Sequence, residues 1–247
     1  LIKSGDVGPD VRQAIDLNIW LLSGDHDQAT LEEGLRSGMD RVLESRNLVV
    51  GDISFSTPTP ADTASFAVVD AEAQPGEICE AMARAVGAER AVNLALIESF
   101  LDSSLGLASG LPGASQHAEA RASCVTAATR ADEELITLDV LASTIMHEGS
   151  HFMGLTHTTE EDGAFFDDFA DTLECDIGTY DGRDNLGYPG ELDDLVSATE
   201  CGTEGAGENY MFFEDSPPDV RDVLSQTVMT EDQAWALRRH PLFYPVG

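Results

Sequence analysis

Ile15, Leu17, Ile19 and Leu21 alternate with Asp16 and Asn18, the period of two expected of a strand, here over 14–22. Leu31, Leu35, Met39, Val42, Leu43 and Arg46 then recur at helical spacing. They predict a helix over about 28–46, opened by Thr30-Leu31-Glu32-Glu33 as a capping box. Leu48–Ser56 reads as a second strand, ended by Thr57-Pro58-Thr59-Pro60, and Ser65–Val69 as a short extra one. Ile78, Cys79 and Met82 mark a helix from about Gly76 to Val86. Ala91–Ile97 is almost wholly apolar, as a strand covered on both faces would be. Leu105–Ser109 is short and stopped by Gly110-Leu111-Pro112-Gly113, the pattern of an edge strand and turn, and Ser123–Ala128 is a further strand.

Thr137 is placed to cap a helix whose core side is Leu138, Leu141, Ala142, Ile145 and Phe152, with Asp139 in the first turn where negative charge suits the dipole. From 158 to 210 no period persists. An irregular stretch of that length needs staples, metal or function to hold it. Thr230-Glu231-Asp232-Gln233 then opens a last helix through Ala234, Trp235 and Leu237 to Arg239, ended by Pro241. Strands and helices followed by an irregular remainder predict an α+β fold, with no internal repeat.

Composition narrows the classes. At 247 residues with 42% hydrophobic content, the chain can bury a sizeable core. The net charge of −33, with Lys3 the only lysine, repels nucleic acid and anionic membranes. It suits high salt, the collection of divalent cations, or simply a self-repelling exported protein. No apolar run is long enough for a transmembrane helix. Leu1-Ile2-Lys3-Ser4 is no signal peptide, so an export signal would precede it. Four cysteines, Cys79, Cys124, Cys175 and Cys201, none in CxxC spacing, suit two disulfides in an oxidising compartment, or buried free thiols.

The chemistry concentrates in His147-Glu148-Gly149-Ser150-His151-Phe152-Met153-Gly154-Leu155-Thr156-His157. On a helix, i and i+4 differ by about 40° in azimuth, so His147 and His151 aim at one spot. Glu148, about 100° further round, reaches a water there rather than the metal. Gly154 stands where a left-handed turn is cheap only for glycine, bringing the chain back with His157 as third ligand. Three protein ligands leave a fourth position for water, the mark of a catalytic zinc site.

This HExxHxxGxxH segment resembles the metzincin clan of zinc peptidases. The resemblance implies an upper lobe of about 1–154, with a mixed twisted sheet and long helices, and an irregular lower lobe of about 155–247 with a methionine turn and a C-terminal helix. Asn209-Tyr210-Met211-Phe212-Phe213 resembles that turn, which makes Met211 the residue under the metal. Within the clan, His157-Thr158, the acidic Asp167–Cys175 segment and Cys201-Gly202 look most like the pappalysin group, with Leu173 where proline is usual. Gly106, Leu107 and Ala108 resemble the edge strand against which substrate backbone pairs. Cys201 resembles half of a lower-lobe disulfide, implying Cys175–Cys201 and leaving Cys79 for Cys124. Relatives often carry tyrosine two residues after the turn methionine, to steady an oxyanion. Here that position is Phe213.

The implied activity is a secreted or cell-surface zinc endopeptidase acting on peptide or protein substrates, one zinc per chain, with Glu148 as general base. Asp167, Asp168, Asp171 and Glu174 crowd one stretch and offer oxygens of the kind calcium takes. The alternatives are an inactive metzincin-like binding domain, a zinc hydrolase of non-peptide amides, and a calcium-stabilised structural domain.

Overall fold

The structure is a computed structural model that describes residues 8, 10–71, 74–86, 90–102, 104–109, 123–131, 133–159, 167–172, 206–212 and 226–247. Its helices are α1 (Gln28–Leu43), α2 (Pro60–Phe66), α3 (Pro75–Val86), α4 (Leu138–Phe152) and α5 (Glu231–Arg239). Its strands are β1 (Gln13–Leu21), β2 (Leu48–Ser56), β3 (Val68–Val69), β4 (Val92–Ile97), β5 (Ser99–Phe100), β6 (Gly106–Ser109), β7 (Cys124–Ala128), β8 (Arg130–Ala131), β9 (Glu134–Leu135) and β10 (Tyr244–Pro245). The chain forms two compact units, one of Leu1–Gly154 with Leu237–Gly247, the other of Leu155–Ala236.

In the first unit, β2, β1, β4 and β7 run parallel, and β6 closes one side antiparallel to β7. The alternation over 14–22 implies one wet face, yet β1 is covered on both. Asn18 is buried, with its amide donating to Asn93 Oδ1 at 2.9 Å on the paired strand β4. A satisfied amide costs little inside a protein. The continuous apolar run of β4 is buried along its whole length, as its composition required. The last residues add β10 antiparallel to the start of β1, and Tyr244 Oη donates to Asp16 Oδ1 at 2.6 Å.

Three expectations need correcting. Asp27, not Thr30, caps α1. Its side chain accepts from the Thr30 N–H at 3.0 Å, and the Thr30 hydroxyl donates to it at 2.8 Å. Arg46 falls beyond the helix, in a 3-10 turn with no buried residue. The expected strand over Ser65–Val69 is mostly the end of α2, with only Val68–Val69 extended. Thr59 and Asp62 cap α2 reciprocally with Pro60 following the cap, so the Thr-Pro run that ends β2 also starts a helix.

One core cluster gathers Trp20, Val69, Ile78, Met82, Ile97 and Phe100 around the Cys79–Cys124 disulfide. That bond ties α3 to β7 across 45 residues, a closure worth about 2–5 kcal/mol. Cys175 and Cys201 lie outside the described residues. Elsewhere in the same unit α1 meets α4. A side chain on Gly34 would strike Leu138 and one on Gly38 would strike Ala142, so these two positions set how closely the helices approach. Arg41 of α1 also pairs with Asp139 in the first turn of α4. The helix bearing the two-histidine motif is therefore anchored at its N-terminal end and packed along its length.

Candidate metal centre

Thr137 begins α4, its hydroxyl accepting from the Val140 N–H at 3.3 Å. Val140, Leu141, Ile145 and Phe152 fill the core, while His147, Glu148 and His151 stay partly exposed. The i, i+4 spacing sets the two imidazoles edge to face, ring centroids 4.7 Å apart at 83°, with Nε2 atoms 3.1 Å apart. Two nitrogens on one tetrahedral zinc, each about 2.0–2.1 Å from it, stand about 3.3 Å apart. The pair is thus set almost as a shared ion requires.

The helix ends as expected. Gly154 has φ of +99° and donates its N–H to the His151 carbonyl at 2.9 Å. His157 follows in the same continuous segment, and the ligand nitrogens of His147, His151 and His157 all lie within 4.8 Å of one another. Neutral imidazoles suit zinc, copper, iron or nickel, so the trio could hold an ion of that kind. The residues fit a metal ion.

Glu148 sits beside the pair but turns to the sheet. Its carboxyl is pushed up to about 7, because burial outweighs the lowering effect of a hydrogen bond from the Ala108 N–H. A dication at the imidazoles would also lower it. Strand β6 is at the sheet edge, as expected of Gly106, Leu107 and Ala108. Leu105 accepts from the Ala128 N–H at 2.9 Å, so by alternation the backbone groups of Gly106 and Ala108 point away from β7. The contact between Glu148 and Ala108 was not legible in the sequence, since the two residues lie on separate elements.

In the second unit, Met211 is fully buried in a turn. Its N–H donates to Asn209 Oδ1 at 2.9 Å, and its carbonyl accepts from Thr158, the residue after His157, at 3.0 Å. Asn209 and Gln233 exchange two amide hydrogen bonds of 3.1 Å, and Gln233 Oε1 also accepts from the Thr230 N–H at 3.0 Å. Thr230-x-x-Gln233 is therefore a capping box whose glutamine does a second job, holding the methionine turn. Glutamate there could cap but could not donate to Asn209.

A buried polar group left without a partner costs about 1–3 kcal/mol. Asn209→Ala and Gln233→Glu are each expected to destabilise by about that much. The double variant should cost less than the sum, because the two share one interaction. Urea unfolding of the four proteins checks this, and strict additivity would refute the link.

Among the described residues, Asp167, Asp168 and Asp171 form no group of three candidate ligands. Asp167 is buried, with Oδ1 accepting from the Phe169 N–H at 3.0 Å and the Thr172 hydroxyl at 2.7 Å. Asp171 accepts from the Asp232 N–H at 3.0 Å, and Asp168 is exposed. Among the described residues the only group of three or more candidate ligands is the histidine trio. Glu174 and Phe213 lie outside the described residues.

No protein-family model matches the sequence. No curated protein matches it in sequence. Among solved structures, metalloproteinase-II from Bacteroides fragilis overlaps it with a TM-score of 0.37 at 14% identity. That overlap covers 60% of this chain and 44% of the other, so the chain spans less than half the length of that neighbour. A likeness this slight carries no argument about the site.

Proposed function

We propose that the chain is a zinc-dependent endopeptidase of the metzincin type. The observation that carries the proposal is the convergence of His147, His151 and His157, with Glu148 on the helix that bears the first two. Zinc held there would polarise the scissile carbonyl and acidify a water, the two services such an ion gives to amide hydrolysis.

The rest belongs to the chain. His147 and His151 present their nitrogens from a rigid helix, and His157 arrives after the left-handed turn at Gly154. Glu148 accepts the proton of the attacking water and passes it to the leaving amine. The outward backbone groups of Gly106 and the outward carbonyl of Ala108 suit an extended peptide that adds a strand at the sheet edge, while the Ala108 N–H is held by Glu148. The buried Met211 turn is tied by a hydrogen bond to Thr158, the residue after the third ligand. We place the protein outside the cytosol, secreted or at the cell surface, because a disulfide such as Cys79–Cys124 persists in oxidising compartments. Among the described residues no helix is long and apolar enough to cross a membrane.

Digestion of a mixed peptide library by the zinc-supplied protein tests the proposal. New termini inside peptides are the expected result, and they should be absent with Glu148→Ala. Hydrolysis confined to small amides would move the chain to non-peptide hydrolases. Zinc bound without any hydrolysis would make it a binding domain.

A further inference from the structure

Thr144 and Glu148 stand at i and i+4 of α4 and so share one face of the helix. Strand β6 crosses that face at Gly106. A Cβ placed on Gly106 would lie 2.6 Å from Glu148 Cγ, 2.6 Å from Thr144 Cγ2 and 3.3 Å from Glu148 Cδ. Carbon atoms rest against each other at about 3.5–4.0 Å, so no side chain fits there as the residues stand. The backbone itself makes no demand for glycine, because among the described glycines only Gly154 has positive φ. What Gly106 supplies is room. Two residues on, the outward N–H of Ala108 donates to the carboxylate that fills it.

We propose that Gly106 is a positioning residue for Glu148. The absent side chain lets the carboxylate lie against the strand edge, where the Ala108 N–H holds it. This rests on Glu148 being the base of a peptidase, but the placement stands apart from turnover. Thr144 is β-branched and stiff on a helix, whereas the glutamate stem turns freely. A methyl group at 106 therefore drives Glu148 off the strand, and the carboxylate leaves Ala108.

The test compares zinc-loaded Gly106→Ala, Glu148→Ala, Thr144→Ser and their pairwise combinations, by kinetics, melting temperature, zinc content and the amide resonance of Ala108. Misplacing a reacting group by about 1 Å can cost about 10²-fold in rate. Gly106→Ala is expected to lose kcat on that scale with KM little changed and zinc retained. Its Ala108 amide proton should move upfield and exchange faster, as it should in Glu148→Ala. Adding Gly106→Ala to Glu148→Ala should cost no further turnover, since the group it displaces is already gone.

Thr144→Ser removes the Cγ2 obstacle. It should restore the melting temperature of Gly106→Ala without restoring its kcat, and it keeps the test alive if Gly106→Ala alone folds poorly. An unchanged Ala108 amide in Gly106→Ala, or turnover and stability recovering together with Thr144→Ser, would overturn the proposal. If the parent protein shows no turnover at all, the peptidase assignment fails, and the amide signature still decides where Glu148 sits.

Discussion

Glu148→Ala is expected to abolish nearly all peptide hydrolysis while leaving zinc content and melting temperature close to the parent's. The substitution removes the carboxylate that α4 itself carries next to the histidine pair and touches none of the three imidazoles. A positioned general base contributes about 10²–10⁴ in rate, and kcat should fall by at least that factor. Stability should not fall with it, because burial penalises the carboxylate and a single backbone donor favours it. Taking a buried carboxyl away removes a desolvation cost along with a hydrogen bond, and the two roughly offset. The measurements are kcat and KM on one cleaved peptide, zinc by elemental analysis and a thermal melt. Retained turnover would remove Glu148 from the chemistry. Lost zinc would mean that the glutamate holds the metal instead of serving beside it.

The second large effect concerns the metal. The parent protein should carry one zinc per chain, and chelation should end turnover and lower the melting temperature together. An ion that binds only the folded state stabilises it by about 4 kcal/mol when present at a thousand times its dissociation constant. His157→Ala keeps the i, i+4 pair and removes the third nitrogen. It should bind zinc far more weakly and melt near the temperature of the chelated parent. Elemental analysis with paired melts checks this. A zinc content unchanged by His157→Ala would show that the third ligand comes from elsewhere, and a folded, zinc-supplied parent with no metal would end the assignment.

Elements with a repeating period were legible in the sequence. The apolar run at 91–97, the helical spacing from Leu31 to Leu43 and the capped helix from Thr137 each appear where expected, because one local pattern specifies both the element and the face it buries. Errors fell where two local signals competed. Asp27 and Thr30 both offer a capping oxygen, and the earlier residue won, with Thr30 donating to it. At 57–66 the Thr-Pro run looked like a terminator, yet proline after a capping threonine also opens a helix, as α2 shows.

The sequence by itself determined the histidine cluster, a donor set that could hold a metal ion. Helical pitch and one left-handed glycine suffice to bring His147, His151 and His157 together, and every part of that argument lies within eleven consecutive residues. It also determined that Thr230 and Gln233 would cap the last helix. Only the tertiary structure decided what surrounds these groups. Asn18 finds Asn93 across a strand pairing, Asn209 finds Gln233, and Glu148 finds both the space at Gly106 and the N–H of Ala108. Such contacts join residues from 24 to 75 positions apart where the hydrogen bond is between side chains. Local periodicity carries no information over that range. They form because a buried polar group must find a partner and a packed interior must fill its space, conditions that arise only once the elements have come together.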